Sequence, residues 1–344
     1  MSNPDDPRGR PGRTGKRREH GLQKNDRRRS GLALKVPKPR RHQPLGTPTL
    51  SIVQQAALTA RSAVVAPLRR AKLGRHRAAG TAPAMVLFYH RVATAHPNDW
   101  TITPETFDAH LRHLRQVADP VELTQVQRSV RDGINDRSTF TVTFDDGYAE
   151  NEDYAIPTLL RRRIPTTYFV STQHVIAGKP FPHDVAAGRR LAVNTVSQVR
   201  QFADAGIEIG CHTRDHVDLS KVHRPADLRR QIVEDKDALE QLIGRGVRYF
   251  AFPFGMPPQL TAPAIAAVIE AGFEGFCSAF GAYNVVGRDW YHIRRFHGDP
   301  EMSRLVNWTS YDETKVRGEP KIEVPADAPI RAAASRRERR GSGI

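Results

Sequence analysis

The sequence predicts an α/β fold, a parallel sheet whose strands are joined by crossover helices, and two observations carry that prediction. From Pro83 onward, short apolar runs alternate with amphipathic stretches of helical period. The polar clusters fall where the apolar runs end, and parallel α/β folds build their sites at the carboxyl ends of strands. At 344 residues the chain can hold one large domain with a full core, or two modest ones.

The elements follow in order. Met85-Val86-Leu87-Phe88-Tyr89 is a continuous apolar run, the pattern of a strand buried on both faces, and it ends at His90. Thr103 then stands as the N-cap of a helix with Phe107, Leu111, Leu114 and Val117 on one face. Thr139 to Phe144 is a second strand that runs straight into Asp145-Asp146-Gly147-Tyr148. Ile156 to Leu160 is helical, and Thr166 to Val170 is a third strand. Val196 to Ala205 makes a helix stopped by Gly206, and Ile207 to Cys211 is a short strand ending at His212. A long amphipathic helix spans Pro225 to Ile243 and is capped by Gly244. Tyr249 to Phe252 is another strand, followed by Pro253-Phe254-Gly255, and Ala264 to Ala271 is a helix closing on Gly272. No internal repeat is visible.

Charge is unevenly spread. Residues 1–80 carry 20 Lys/Arg against four Asp/Glu, whereas the remainder carries 33 of each, so the net charge of +16 belongs to the N-terminal quarter. A high pI therefore does not make the folded part a nucleic-acid binder. Residues 1–48, rich in Arg, Lys, Pro and Gly, bury too little apolar surface to offset their ordering entropy and read as a disordered basic tail. Such a tail can contact an anionic membrane surface or nucleic acid. Residues 49–80 read as a linker or amphipathic helix, with Leu50, Val53, Ala57, Ala60, Val64 and Leu68 at helical spacing. Gln54, Gln55, Arg61 and Pro67 interrupt it, so it is expected neither to span a membrane nor to act as a signal peptide. Cys211 and Cys277 make no disulfide framework, and a cytoplasmic location, with membrane association open, is the default expectation. Nothing in the sequence points to an obligate protein partner. Residues 312–344, rich in Pro, Ala, Glu and Arg, read as a second disordered tail.

Four clusters at strand ends carry chemistry. Asp145-Asp146 puts two carboxylates side by side after an apolar strand. They repel each other there unless a cation sits on one and leaves the other free as a base. Asp-Gly is also a common turn dipeptide. His212 and His216, four residues apart, suit a divalent cation if the segment turns helically; with one carboxylate they supply three ligands and leave positions open for water. In Phe250-Ala251-Phe252-Pro253-Phe254-Gly255, the apolar residues could wall a sugar ring, and a backbone N–H beside the proline could face an oxyanion. His90 caps its strand at the same rim.

Together these residues resemble the polysaccharide deacetylase family, carbohydrate esterase family 4, which carries the NodB homology domain. The resemblance runs through Leu87-Phe88-Tyr89-His90-Arg91-Val92, Thr143-Phe144-Asp145-Asp146-Gly147-Tyr148, Thr167-Tyr168-Phe169-Val170, Glu208 to His216 and Phe250 to Gly255. It implies a distorted (β/α)7-type barrel over residues 81–311 and a hydrolase removing N-acetyl groups from an N-acetylated glycan. It also implies a metal, zinc first and cobalt or nickel as alternatives, held by Asp146, His212 and His216. Asp145 would be the general base, the Phe254 N–H would hold the oxyanion, and a histidine would protonate the departing amine. Tyr148, Phe252, Pro253 and Trp290 are the expected substrate contacts.

Two positions depart from the family pattern. The arginine that orients the base in many members is replaced by Ala251, as in the branch that includes the poly-N-acetylglucosamine deacetylases, which leaves the base's partner open. The C-terminal Leu-x-His strand is missing; His90 fits the permuted order of that branch and is the favoured acid, with His297 in reserve. O-acetyl esterases and cyclic-amide hydrolases use the same fold and are the competing readings. A binding protein acting through the basic tail is the reading from outside the enzymes.

Overall fold

A computed structural model of the chain describes residues 50–328 and Arg331; residues 1–49, with the basic stretch 1–48, and residues 329–330 and 332–344 lie outside the described residues. The strands are β1 (Ala84–Tyr89), β2 (Arg91–Val92), β3 (Thr101–Ile102), β4 (Asp119–Pro120), β5 (Thr139–Phe144), β6 (Thr166–Val170), β7 (Glu208–Cys211), β8 (Tyr249–Ala251), β9 (Gly275–Cys277), β10 (His292–Ile293) and β11 (Phe296–His297). Before β1 comes helix α1 (Ile52–Ala78), and α2 (Pro104–Val117) and α3 (Leu123–Asp132) lie between β3 and β5. The later helices are α4 (Ala155–Arg161), α5 (Thr172–Ala177), α6 (Pro182–Ala186), α7 (Val196–Asp204), α8 (Pro225–Ile243), α9 (Ala262–Glu270), α10 (Met302–Thr309) and α11 (Glu313–Arg317).

Among the described residues one parallel sheet runs β10-β9-β8-β7-β6-β5-β1-β11, with β4 beside the start of β5. The strands at its two ends, β10 and β11, are separated in sequence only by Arg294 and Arg295. Three peptide steps reach about 11 Å at most, so the two ends of the sheet must approach each other. This is the curled, mostly parallel half-barrel with surrounding helices that the sequence predicts as a distorted (β/α)7 barrel. The interior strands β1, β5 and β6 are buried at every residue, which is why they read as unbroken apolar or β-branched runs.

Sequence signals explain most boundaries. The Thr103 side chain accepts from the Thr106 N–H and starts α2, while Thr195 and Gln198 form a capping box for α7. α8 ends at Gly244, whose φ of 68° is costly for a residue with a Cβ. The core joins the helices to the inner sheet face through Tyr89, Phe107 and Phe144, whose ring centroids lie 5.2–5.8 Å apart. Each such side chain contributes about 1.5–3 kcal/mol by burial.

One expectation narrows and one changes. Of the two readings of residues 49–80, linker or amphipathic helix, the helix is the one formed: α1 is a 27-residue helix with a Ser51/Gln54 capping box. Its Arg69 pairs with Asp312 at 2.6 Å, and its His76 with Glu313. Residues 312–328, expected as the start of a disordered tail, instead include α11, and Ala328 is buried. Charge complementarity with α1 and the Glu319 pairs to Arg288 and Arg294 add to the packing of Val316, Ile322, Val324 and Ala328 on the core.

Gly298, just after β11, packs so closely on β1 that an added Cβ would fall 2.0 Å from the Tyr89 ring. Gly298→Ala should cost about 1–3 kcal/mol through forced displacement. Gly74→Ala, in α1 with nothing within 4 Å, should gain about 0.5–1 kcal/mol. Urea unfolding of the two variants checks both signs.

Candidate active site

The site is built where β1, β5, β7, β8 and β11 end. β5 delivers Asp145 and Asp146, both buried, and the turn behind them requires Gly147 at φ 93°. Four non-glycine residues near these strand ends also take positive φ: Asp146 at 76°, Thr213 at 61°, His216 at 52° and Phe254 at 62°. Backbone strain of this kind costs on the order of 1–3 kcal/mol per residue and persists where a site demands it.

Asp146, His212 and His216 converge. The Nε2 atoms of His212 and His216 lie 3.4 and 3.1 Å from the same Asp146 oxygen, Oδ1. The three ligand atoms all lie within 4.8 Å of one another, and this group could hold a metal ion. Asp146 Oδ1 is buried with no hydrogen-bond partner, which is the donor set a divalent cation would complete. His212 is oriented by its Nδ1 hydrogen bond to the Ala251 carbonyl at 2.8 Å, so that Nε2 faces the cluster. Burial alone would raise the Asp146 carboxyl, but His216 and His212 hold it well below the usual carboxylate range. The segment after His212 is a loop rather than a helical turn. The two imidazoles meet because Thr213 and His216 adopt left-handed backbone, not because i and i+4 share a helix face.

Asp145 is treated differently. Arg295, at the junction of β10 and β11, grips it bidentately, with Nη1 to Oδ1 at 2.7 Å and Nη2 to Oδ2 at 2.8 Å. The guanidinium is fully buried and also donates to the Ser278 carbonyl and Thr143 Oγ1. Its flat faces lie over Phe88 and Phe169. Burial pushes the Asp145 carboxyl up, and Arg295 more than offsets this and keeps it below its ordinary value. Arg295 thus fills the place left open by Ala251. The available signal was Arg294-Arg295 between Ile293 and Phe296, two charges at a strand junction that cannot both face water.

Two histidines stand near the carboxylates. Burial pushes the His90 imidazole down to about 4, against the opposing pull of Asp146 and Asp145, and its Nδ1 has no hydrogen-bond partner. His297 holds Asp299 through Nδ1 at 2.9 Å, and its ring lies 5.9 Å from that of His90. Trp100 packs on both, 4.5 Å from His90 and 5.5 Å from His297. It is held there by the pairing of β2 with β3 and by Arg91, which bonds Thr101 Oγ1, Glu150 and two carbonyls of its loop. Sequence reasoning passed over Trp100, Asp299 and Arg91, because their contacts are made by a loop with no periodic signal.

The remaining expected residues divide. Phe254 is half-buried, its ring 5.4 Å from His216, and among the described residues no acceptor takes its backbone N–H. Tyr148 is fully buried and donates to Asp184 at 2.7 Å, so it is a framework residue rather than a substrate contact. Phe252 is buried between Phe250 and Phe276, and Pro253 is buried behind it. Trp290 precedes β10, at the amino end of a strand and away from the site, where Arg131 stacks on it. Apolar character alone does not tell a core aromatic from a rim aromatic, which is why these assignments fail.

The structure is thus a parallel α/β domain with a candidate metal site, Asp146, His212 and His216, at the carboxyl ends of its strands. The polysaccharide deacetylase family model matches residues 132–275 of the chain. The chain is similar to YxkH of Bacillus subtilis (strain 168), assigned to polysaccharide deacetylases, at 24% identity over 225 residues, covering 63% of this chain and 72% of the relative. It spans 32% of a bifunctional xylanase/deacetylase of Pseudobutyrivibrio xylanivorans, at 24% identity. Among solved structures it is similar to Streptococcus pyogenes deacetylase PplD in complex with acetate, with a TM-score of 0.56 and 17% identity over 67% of this chain and 99% of that one. IcaB from Ammonifex degensii gives a TM-score of 0.55 and 24% identity over 67% and 97%.

Arg295→Met should leave the Asp145 charge buried without a partner and cost about 3–5 kcal/mol. Adding Asp145→Asn removes the orphaned charge, so the double variant should unfold at higher urea than Arg295→Met alone. Equal midpoints would mean that the pair is not coupled.

Proposed function

We propose that the chain is a metal-dependent hydrolase that removes N-acetyl groups from an N-acetylated polysaccharide or oligosaccharide. The observation that carries this reading is the division of labour between adjacent carboxylates. Asp146 faces two imidazoles in a ligand set, while Asp145 is kept ionised by Arg295. A divalent ion held by Asp146, His212 and His216, zinc in our reading, would polarise the acetamide carbonyl and make water acidic enough to be deprotonated at neutral pH.

The chain's own residues supply the rest. Asp145 takes the proton from the attacking water, whose oxygen bonds to the acetamide carbon. The Phe254 N–H, which no acceptor among the described residues takes, donates to the oxyanion. The carbon–nitrogen bond then breaks as His90, neutral in the free site, relays to the nitrogen the proton that Asp145 took from the water, giving acetate and a free amino sugar. Trp100 offers an aromatic face beside His90, a substrate contact of the kind expected of Trp290.

A second reading of the acid is favoured by one observation, the Asp299 carboxylate 2.9 Å from His297 Nδ1, which orients the imidazole. Variants separate the two. With His90 as acid, His90→Gln should lower kcat by about 10²–10⁴-fold and His297→Gln by less than about tenfold. The reverse order would transfer the role to His297.

Acetate release from N-acetylglucosamine oligomers tests the function, run on metal-stripped protein and after zinc, cobalt or nickel is restored. Metal-dependent acetate with a matching free amine is the expected result. No acetate from folded, metal-loaded protein would turn the reading toward an O-acetyl ester or a cyclic amide.

A further inference from the structure

Helix α1 packs Leu58, Val65 and Leu73 toward the fold, yet keeps a second apolar face in solvent. Its fold-facing side carries much of its polarity, with Arg69 paired to Asp312 at 2.6 Å, Lys72 and His76 paired to Glu313, and Gln55 and Ser62 partly or fully covered. Its solvent side is apolar. Ile52, Val53, Val64 and Leu68 are 86, 77, 80 and 60% exposed, and Ala57 and Ala60 continue the stripe between them. At about 100° per residue these six fall within one half of the helix circumference. Exposed Arg61 and Arg70 flank the stripe on opposite sides, and the helix contains no acidic residue.

We propose that this face docks the protein on an anionic lipid surface, with α1 lying in the headgroup plane. Three observations choose lipid over other occupants. No described helix is long and apolar enough to cross a membrane, which fits an in-plane helix and not an anchor. The stretch leading into the helix, residues 1–49, adds 14 Lys/Arg against four Asp/Glu, so an apolar stripe and a polybasic segment are joined in one chain. Stable attachment of a peripheral protein takes two such signals together. A second copy on this face would bring two helices of the same sign into contact, without an acidic partner on either. Nucleic acid would satisfy the arginines and leave the apolar stripe in water.

The position of the helix gives the docking a consequence. The Leu50 N–H donates to Glu301 Oε1 at 2.8 Å, two residues from the Asp299 that holds His297. The stripe therefore begins at the carboxyl ends of the strands, the end that carries the candidate site, and lipid docking would hold that end near the surface.

Co-sedimentation of the full chain with phosphatidylcholine vesicles, with and without phosphatidylglycerol, tests the proposal. The intact chain should pellet with the phosphatidylglycerol vesicles and not with phosphatidylcholine alone. Val64→Asp/Leu68→Asp should weaken that binding about tenfold or more, with an unchanged melting curve because both side chains are exposed. Unchanged binding by the double variant would assign the attraction to charge alone and overturn the role of the stripe. An absence of binding to either vesicle would overturn the proposal, as would a dimer that the substitution converts to monomer without any affinity for lipid.

Discussion

Two carboxylates, Asp145 and Asp146, are buried side by side at the end of β5, and the surrounding structure is organised by the need to keep both ionised. Each would be driven toward its neutral form by burial and by the other's charge. The fold answers with two different partners. A guanidinium reaches Asp145 from the β10–β11 junction, and two imidazoles reach Asp146 from the loop after β7. The first arrangement is saturated and leaves a base of fixed orientation. The second leaves Asp146 Oδ1 facing two imidazole nitrogens without a hydrogen bond, a donor set that suits a cation.

The same requirement explains where the chain accepts strain and where it closes the barrel. Asp146, His216 and Phe254 occupy left-handed backbone to turn their groups into one space. The approach of the sheet's two ends brings Arg295 behind β1 and β5, against Phe88 and Phe169. Removing Arg295 would thus disturb the closure of the sheet as well as the base. Stability and chemistry share a residue that belongs to neither the ligand set nor the core.

What the sequence made legible follows from range of interaction. β1, β5 and β6 were readable because strands buried on both faces must be apolar throughout, and α2, α7 and α8 because their caps are local. The Asp-Asp and His-x3-His clusters were readable as a ligand set from residue type. Arg295 was not, because its partner lies 150 residues away and the strands on either side of it are two residues long. Tyr148 and Phe252 were misread as substrate contacts, since composition cannot say on which side of a strand end a ring will fall. The stretch at 312–328 was misread because its few apolar residues, Val316, Ile322, Val324 and Ala328, reach the core with the help of pairs to α1, Arg288 and Arg294 that composition does not reveal. On α1 the periodicity was visible, but which face met the fold was not: the apolar stripe at that spacing is the exposed one.

The account stands on the separation of the two carboxylates into ligand and base. A zinc competition titration of Asp145→Asn beside Asp146→Asn measures it directly. The account predicts one equivalent of zinc, bound with the affinity of the unsubstituted chain, for Asp145→Asn and a loss of about 10–100-fold or more for Asp146→Asn. Equal loss in both would contradict it, because Asp145 would then be part of the metal site and the base would have to lie elsewhere.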